Sequence, residues 1–199
     1  MEATADLMTR STSGGDAAWT IDATHEIYSN GFFRLRRDEC RLRRQPSVRT
    51  DWFVLELPDC VSVVPITADG RIVLIEQYRH GVGEWMLECP GGSVEDDDTD
   101  PGHAAGRELI EETGFSAGEI VLLGSHPRDP GSQSTQVHTY LARDCQVAGD
   151  AQPGAFEDMR LRLVDRDELT DLVRGGANFD ASTLASLLLA LTATAFMPE

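Results

Sequence analysis

Apolar residues occur along the chain in short runs separated by glycine, proline and acidic residues. The run at 61–67 is followed by Asp69 and Gly70, and a second run occupies 73–76. An Asp-Gly pair between two apolar runs is a strong signal for a tight turn between antiparallel strands. The pattern therefore predicts a β-hairpin centred on these two residues.

The same pattern predicts further elements on both sides of the hairpin. Runs rich in aromatic and aliphatic residues predict strands at 52–57, 120–124, 137–142 and 159–164. Helices are predicted at 100–113 and from Asp180 onward, with a shorter helix at 167–173. Strands and helices interleave without regular βαβ spacing, which favours an α/β (α+β) sandwich with a mixed sheet over a doubly wound sheet.

Composition divides the chain into three regions. Residues 1–18 are small and polar, which predicts a disordered tail. Residues 19–57 form an N-terminal β region, and residues 58–199 form the main domain. Seven arginines are concentrated in the β region: Arg34, Arg36, Arg37, Arg41, Arg43, Arg44 and Arg49. The sequence leaves two interpretations open, which are charge that protects edge strands from aggregation and a positive rim beside a phosphate site.

The balance of charged residues disfavours several classes of partner. The 199 residues include 34 acidic and 17 basic side chains, which gives a formal net charge of −17. Such a charge opposes binding to nucleic acid or to an anionic membrane surface. Binding of an anionic substrate is therefore expected to need local cations, and bound metal is the obvious source.

Cysteine usage and the N-terminal composition point to a cytoplasmic protein. The four cysteines are scattered without a CxxC pair, which argues against zinc ligation and against a disulfide framework. The N-terminus carries Glu2 and Asp6 and lacks the apolar segment of a signal peptide. The longest apolar stretch, 184–197, is interrupted by serine and threonine and is too short to span a bilayer, so it predicts a buried helix.

Three glutamates share one face of the helix predicted at 100–113, where Asp100 and Gly114 are the expected caps. These glutamates, at i, i+3 and i+4, are Glu108, Glu111 and Glu112. Like charges at that spacing repel by about 0.2–0.5 kcal/mol per pair, and divalent cations with oxygen ligands relieve such repulsion. A solvated acidic face is the plainer alternative, and the three glutamates alone do not decide between the two.

The sequence around this helix resembles the Nudix box, GX5EX7REUXEEXGU, in which U is a bulky aliphatic residue. A Pro-Gly-Gly turn at 90–92 leads through an acidic loop to Arg-Glu-Leu-Ile-Glu-Glu-Thr-Gly-Phe at 107–115, where Phe115 replaces the usual aliphatic residue. The loop is one residue too long, so either Asp98 or Thr99 takes the place of the first box glutamate. The chain thus resembles the Nudix hydrolases.

This resemblance implies a fold and a metal site. The fold is a Nudix-type α/β/α sandwich with a mixed sheet, behind a small N-terminal antiparallel β region. The metal, Mg²⁺ or Mn²⁺, is expected to be bound by the box glutamates Glu108, Glu111 and Glu112 and by a carbonyl of the glycine loop, at Gly91 or Gly92. Arg107 is expected to brace the loop and a glutamate rather than contact the substrate.

A general base for the attacking water is expected on a loop that follows the box. In Nudix enzymes that act on ADP-ribose such a loop lies well after the box, and residues 156–159 resemble it. Glu157 is the first candidate for this catalytic role and Asp158 the second. A surface turn with two solvated acids is the alternative.

Segments next to the box resemble the branch that hydrolyses ADP-ribose and other nucleotide sugars. The run 73–80 resembles a strand motif that ends in Gln-Tyr-Arg, and 85–88 resembles a Trp-x-x-Glu approach to the glycine loop. The resemblance implies that Arg79 contacts a phosphate, that Glu88 contacts the ribose or the adenine, and that Gly91 lies beside the substrate. Pairing of Arg79 with a structural acid is the alternative. The expected reaction converts ADP-ribose to AMP and ribose 5-phosphate.

The resemblance also implies a homodimer, in which the N-terminal sheet contributes to the partner's site. The aromatic residues available for this are Phe32, Phe33, Trp52 and Phe53. Other substrates stay open, among them GDP- or UDP-sugars, dinucleoside polyphosphates and oxidised nucleoside triphosphates. A non-catalytic nucleotide sensor is a further alternative, whereas a serine hydrolase is disfavoured because the chain has no G-x-S-x-G motif.

Overall fold

The computed structural model describes residues 17–154 and 156–193, which fall into two compact units divided between Leu57 and Pro58. The disordered tail predicted for residues 1–18 lies outside the described residues, apart from 17 and 18. The first unit contains three long strands, β1 (Trp19–Ser29), β2 (Arg34–Leu42) and β3 (Gln45–Glu56). They form an antiparallel sheet in the order β1-β2-β3.

Arginines of this first sheet pair with acids of the same sheet. Arg36 bonds to Asp38 at 3.1 Å and also to Glu56, and Arg41 lies 2.6 Å from Asp22. Five of the seven arginines have such a carboxylate partner among the described residues. The pairing favours the interpretation of these arginines as charge balanced across the sheet over that of a free positive rim.

The second unit contains a seven-stranded sheet and three helices. Its path is β10-β5-β4-β9-β7, with β6 paired to β5 and β8 paired to β9. The strands are β4 (Cys60–Thr67), β5 (Ile72–Arg79), β6 (Glu84–Glu88), β7 (Phe115–Ser116), β8 (Glu119–Pro127), β9 (Gln136–Val147) and β10 (Met159–Val164). The helices are α1 (Pro101–Thr113), α2 (Arg166–Arg174) and α3 (Ala181–Thr192). β4 and β9 run parallel while the other pairs are antiparallel, so the predicted mixed sheet is confirmed.

Two hydrophobic cores lie on opposite faces of this sheet. On one face Val63 and Val73 pack with Leu109 of α1. On the other face Leu74 packs with Leu187 of α3, together with residues of α2. Because consecutive residues of a strand point to opposite faces, Val73 and Leu74 separate the two cores, and the layers are helix, sheet and helix.

Local signals in the sequence are borne out at the hairpin and at α1. The turn between β4 and β5 contains Gly70 at φ 83°, a left-handed conformation that suits glycine. Asp100 caps α1 by accepting from the backbone N–H of His103 at 2.9 Å, and Gly114 ends the helix at φ 72°. The predicted hairpin and the predicted helix are therefore both confirmed.

The prediction of a buried C-terminal helix is wrong for one face of α3. Leu187 is buried, but Leu188 is 63% exposed, because only one side of the helix contacts the sheet. On the buried side the Ser186 hydroxyl donates to Ser62 Oγ at 2.9 Å and lies 3.1 Å from Thr139 Oγ1. No helix in the described part of the chain is long and apolar enough to cross a membrane.

Candidate active site

The glycine loop after β6 lies against the carboxylate face of α1. The backbone N–H of Gly91 donates to Glu112 Oε2 at 2.7 Å. A Cβ atom at Gly92 would overlap the Glu108 carboxylate, and one at Gly91 would overlap the backbone carbonyl of Val61. A side chain at Gly91 is therefore blocked by the backbone of β4, whereas one at Gly92 requires the end of the Glu108 side chain to move.

Burial raises the pKa values of two of the helix glutamates. Burial raises the pKa of Glu112 to about 8, with smaller contributions from the nearby Glu108 and Glu157 carboxylates and an opposing one from the Gly91 N–H. Burial likewise raises the pKa of Glu108, although Arg107 opposes the shift. Buried carboxylates whose negative charge is unfavourable are suited to binding a divalent cation.

Arg107 braces the glycine loop and the helix. Its Nη2 donates to the Ser93 carbonyl at 3.0 Å and to Asp98 Oδ2 at 2.9 Å. Its Nη1 donates to Glu108 Oε1 at 2.9 Å and to Glu111 Oε2 at 3.1 Å. Its guanidinium thus binds both the loop and the carboxylate face, which leaves it unavailable to a substrate.

Arg79 and Glu88, assigned from the sequence to substrate binding, form an ion pair with each other. Arg79 Nε donates to Glu88 Oε1 at 2.7 Å, and its Nη2 donates to the second carboxylate oxygen. This hydrogen bonding is the largest cause of the raised pKa of Arg79. Glu88 is 4% exposed, and the pair forms one side of the site, which we call the Arg79–Glu88 wall. The Nη1 group of Arg79 has no hydrogen bond to Glu88.

One cavity of about 380 Å³ is lined by the Arg79–Glu88 pair, the two loop glycines, Glu108, Glu112 and Glu157. β10 pairs with β5 so that Met159 lies opposite Gln77, and the backbone N–H of Tyr78 donates to the Asp158 carbonyl at 3.4 Å. Glu157 therefore follows on the side of Gln77 and Arg79, whereas the Asp158 side chain falls on the opposite side. Of the two candidates for the base, only Glu157 lines the cavity.

Glu111 differs from the other two glutamates of the helix face. Its side chain is 47% exposed, bonds to Arg107 and does not line the cavity. In the described part of the chain, no three acidic, histidine or cysteine side chains already converge on one point that could hold a metal ion.

Comparison with known proteins identifies the family. A model of the NUDIX domain matches residues 56–187, which is more than half of the chain. The chain belongs to the Nudix family. It is accordingly a Nudix hydrolase, an enzyme that hydrolyses nucleoside diphosphate derivatives, and members of this family generally use divalent metals.

Several Nudix proteins are similar over most of their length. A methanol dehydrogenase activator of Bacillus methanolicus is 28% identical over 166 residues, which cover 82% of this chain and 88% of the relative. An ADP-ribose pyrophosphatase of Bacillus subtilis (strain 168) is 25% identical over 162 residues, 81% of this chain and 86% of the relative. The crystal structure of an ADP compounds hydrolase superposes with a TM-score of 0.75 at 22% identity, covering 90% of this chain and 95% of that one, and it confirms the Nudix fold.

The irregular Nudix box has a structural explanation. Asp98, whose side chain is 1% exposed, bonds to Arg107 through both oxygens and accepts from the Glu95 N–H at 2.9 Å. The bonds from Arg107 are the largest cause that lowers the pKa of Asp98. Thr99 is exposed, whereas Asp98 binds Arg107 and does not line the cavity.

Two residues of the cavity were absent from the site predicted by sequence. Gln77 is 5% exposed, and its Oε1 atom has no hydrogen-bond partner among the described residues. Arg128 comes from the loop between β8 and β9. The sequence could have indicated Gln77, because it precedes Arg79 by two positions on a predicted strand and so lies on the same face. No sequence pattern could have indicated Arg128, since the conformation of a loop brings it to the cavity.

Proposed function

We propose that this Nudix hydrolase cleaves the diphosphate of ADP-ribose, with Mg²⁺ or Mn²⁺, to AMP and ribose 5-phosphate. The observation that carries the proposal is the convergence of three glutamates on one cavity beneath the glycine loop: Glu112, which is buried, Glu108, which is partly buried, and the exposed Glu157. Six acidic residues line this cavity, which suits an anionic diphosphate only when cations offset their charge.

The donor set fits a hard divalent cation. Glu108, Glu111 and Glu112 would hold it through carboxylate oxygens, with the carbonyl of Gly92 or Gly91 as a further oxygen ligand. The raised pKa of Glu112 supports this assignment, because a buried carboxylate with no cation nearby favours its protonated form. When bound, such an ion would neutralise phosphoryl oxygens and lower the pKa of a water molecule.

Glu157 is proposed to take the proton of the attacking water. The water oxygen forms a bond to one phosphorus atom, and the bond from that phosphorus to the bridging oxygen breaks. The electron pair stays with the bridging oxygen, which leaves as part of the second phosphomonoester. Glu157 Oε2 accepts from the Gly154 N–H at 2.7 Å, so this carboxylate is already oriented by its own loop.

The choice of ADP-ribose rests on relatives and on the Arg79–Glu88 wall. The Bacillus subtilis relative is an ADP-ribose pyrophosphatase, and a relative from Mycobacterium tuberculosis has the same name and is 30% identical over 127 residues. The pair can offer a substrate both a guanidinium N–H and a carboxylate oxygen, which suits a phosphate next to a ribose hydroxyl.

A substrate panel tests the proposal. Wild type, Glu112→Gln and Glu119→Gln are assayed with Mg²⁺ or Mn²⁺ on ADP-ribose, GDP- and UDP-sugars, dinucleoside polyphosphates and nucleoside triphosphates, and the products are identified. Glu119 lies on β8 and pairs with Arg143, outside the cavity, so it is the matched control. We expect AMP and ribose 5-phosphate from wild type and from the control but not from Glu112→Gln. Faster turnover of another compound would replace ADP-ribose, and no turnover at all would favour a sensor.

We further propose that the chain forms a homodimer through its N-terminal sheet. Phe32 is 83% exposed, Phe53 54% and Trp52 44%, which is unusual for large apolar side chains. Light scattering on the wild type and on Trp52→Ser with Phe53→Ser checks this. A dimer that the double variant turns into a monomer is expected, and a monomeric wild type would contradict the proposal.

A further inference from the structure

The two arginines that line the cavity differ in whether a carboxylate neutralises them. Its described walls contain six acids and two arginines, Arg79 and Arg128. Arg79 is bonded to Glu88 through two nitrogens, so its positive charge is offset where it stands. Arg128 is therefore the lining cation whose charge is still available to a ligand.

Arg128 makes no ion pair with any of the described residues. Its guanidinium lies near the Cys60 thiol, where it opposes the rise in the pKa of that thiol that burial causes. A guanidinium has five N–H donors in a planar fork that matches phosphate. No ion pair with a described residue therefore occupies the fork of Arg128.

The loop that carries Arg128 is closed by a backbone hydrogen bond, and the neighbouring Asp129 bonds within its own turn. The backbone N–H of Arg128 donates to the Thr135 carbonyl at 3.0 Å, which closes the base of the loop. The carboxylate of Asp129 accepts from the Gly131 N–H at 3.2 Å and from the Ser132 hydroxyl. Asp129 is therefore engaged in its own turn, and it leaves the neighbouring guanidinium unneutralised.

We propose that Arg128 is a substrate-contacting residue. It binds the phosphoryl group that is not attacked by water and that leaves together with the bridging oxygen. This inference rests on the proposed diphosphate hydrolysis. When the bond between phosphorus and the bridging oxygen breaks, negative charge grows on that oxygen and on its own phosphoryl group. Arg128 transfers no proton, since guanidinium stays protonated, and it stabilises the developing charge through its N–H donors.

The test compares Arg128→Ala and Arg128→Lys with Arg71→Ala in Mg²⁺-dependent hydrolysis of ADP-ribose. Arg71 is an exposed residue of the β4–β5 turn that pairs with Asp69, so its removal changes the net charge equally without touching the cavity. Loss of a charged hydrogen bond lowers kcat/KM by about tenfold to a hundredfold in Arg128→Ala. Arg128→Lys keeps the charge but not the fork and is expected to fall between, while Arg71→Ala stays at the wild-type value.

A second readout separates contact with the substrate from a structural role of the loop. Millimolar guanidinium ion is expected to restore part of the activity of Arg128→Ala and to leave Arg71→Ala unchanged. Wild-type activity in Arg128→Ala would overturn the inference. So would an unrescued loss accompanied by a lowered unfolding midpoint in both Arg128 variants. These results presuppose wild-type turnover in the same assay, and its absence would instead remove the proposed function and this inference with it.

Discussion

Burial of a single carboxylate, that of Glu112, couples the stability of the metal-free fold to pH. The pKa of this group rises from 4.5 to about 8 on folding, mainly because of burial. The folded state therefore favours the protonated form. Its stabilising contribution is fully present below pH 4.5 and is lost as the pH rises through about 8.

Glu112→Gln should make the metal-free protein more stable than wild type at high pH. The amide is neutral at every pH, so the stability difference is small at pH 4 and grows between 4.5 and 8 by up to about 1.4 kcal/mol per pH unit. Urea unfolding in EDTA at pH 4, 6 and 8 measures it. The exposed control Glu119→Gln should show no such growth, and a difference that is constant with pH in Glu112→Gln would contradict the account.

Gln77 carries a buried polar atom, Oε1, that has no hydrogen-bond partner within residues 17–154 and 156–193. Met86 and Met159 are its neighbours on the adjoining strands, so methionine suits the position in length and surroundings. We expect Gln77→Met to raise the free energy of unfolding by about 1 kcal/mol, because a buried unsatisfied acceptor is removed. Urea unfolding checks this against Gln45→Met, an exposed position. A less stable Gln77→Met protein would mean that the amide is bonded in solution.

At the scale of elements, two adjacent glycines of the loop should fail in different ways. A Cβ at Gly92 meets the movable end of the Glu108 side chain, so Gly92→Ala should fold but displace a carboxylate. Turnover is expected to fall about a hundredfold, a typical cost of ångström-scale misplacement. A Cβ at Gly91 meets the backbone of Val61, which cannot yield easily, so Gly91→Ala should lose about 1–3 kcal/mol of stability.

Gly81 provides the control for both loop variants. It has open space where a Cβ would stand, and its φ is not in the left-handed range, so Gly81→Ala should change neither turnover nor stability. Thermal unfolding and kcat are measured for all three variants. Equal losses of stability in Gly91→Ala and Gly92→Ala would contradict the distinction.

Sequence reasoning succeeded where the decisive interactions are local. The caps of α1 and the Asp-Gly turn of the β4–β5 hairpin depend on residues a few positions apart. It named a phosphate and a structural acid as partners of Arg79 but could not choose between them, because the choice depends on how β5 pairs with β6. The position of Arg128 likewise depends on a loop that has no periodic pattern.

Two features of the Nudix box could not be predicted from residue spacing. Counting along the sequence left Asp98 and Thr99 equivalent as replacements for the first glutamate. Only the contacts with Arg107, nine residues away, distinguish them. Glu111 has the right helical spacing, but its neighbours hold it at the exposed rim, which spacing alone does not reveal.

At the scale of the whole molecule, negative charge is in large excess and the chain contains no lysine. Divalent cations should therefore stabilise the protein by relieving repulsion among buried carboxylates. A cation at a hundred times its Kd stabilises a fold by about 2.7 kcal/mol. We expect Mg²⁺ to raise the Tm of wild type but not of Glu112→Gln, with KCl of equal ionic strength as the control. An equal effect of both salts on wild type would contradict specific binding.

The measurement that tests the central claim most directly is the rate of ADP-ribose hydrolysis as a function of Mg²⁺ concentration. The account predicts no turnover in EDTA and a rate that rises with Mg²⁺ concentration to saturation. In Glu112→Gln the rate at saturating metal should fall by a factor of about a hundred or more. Turnover that persists in EDTA, or a wild-type rate in Glu112→Gln, would contradict the assignment of this cavity as a metal-dependent diphosphate hydrolase site.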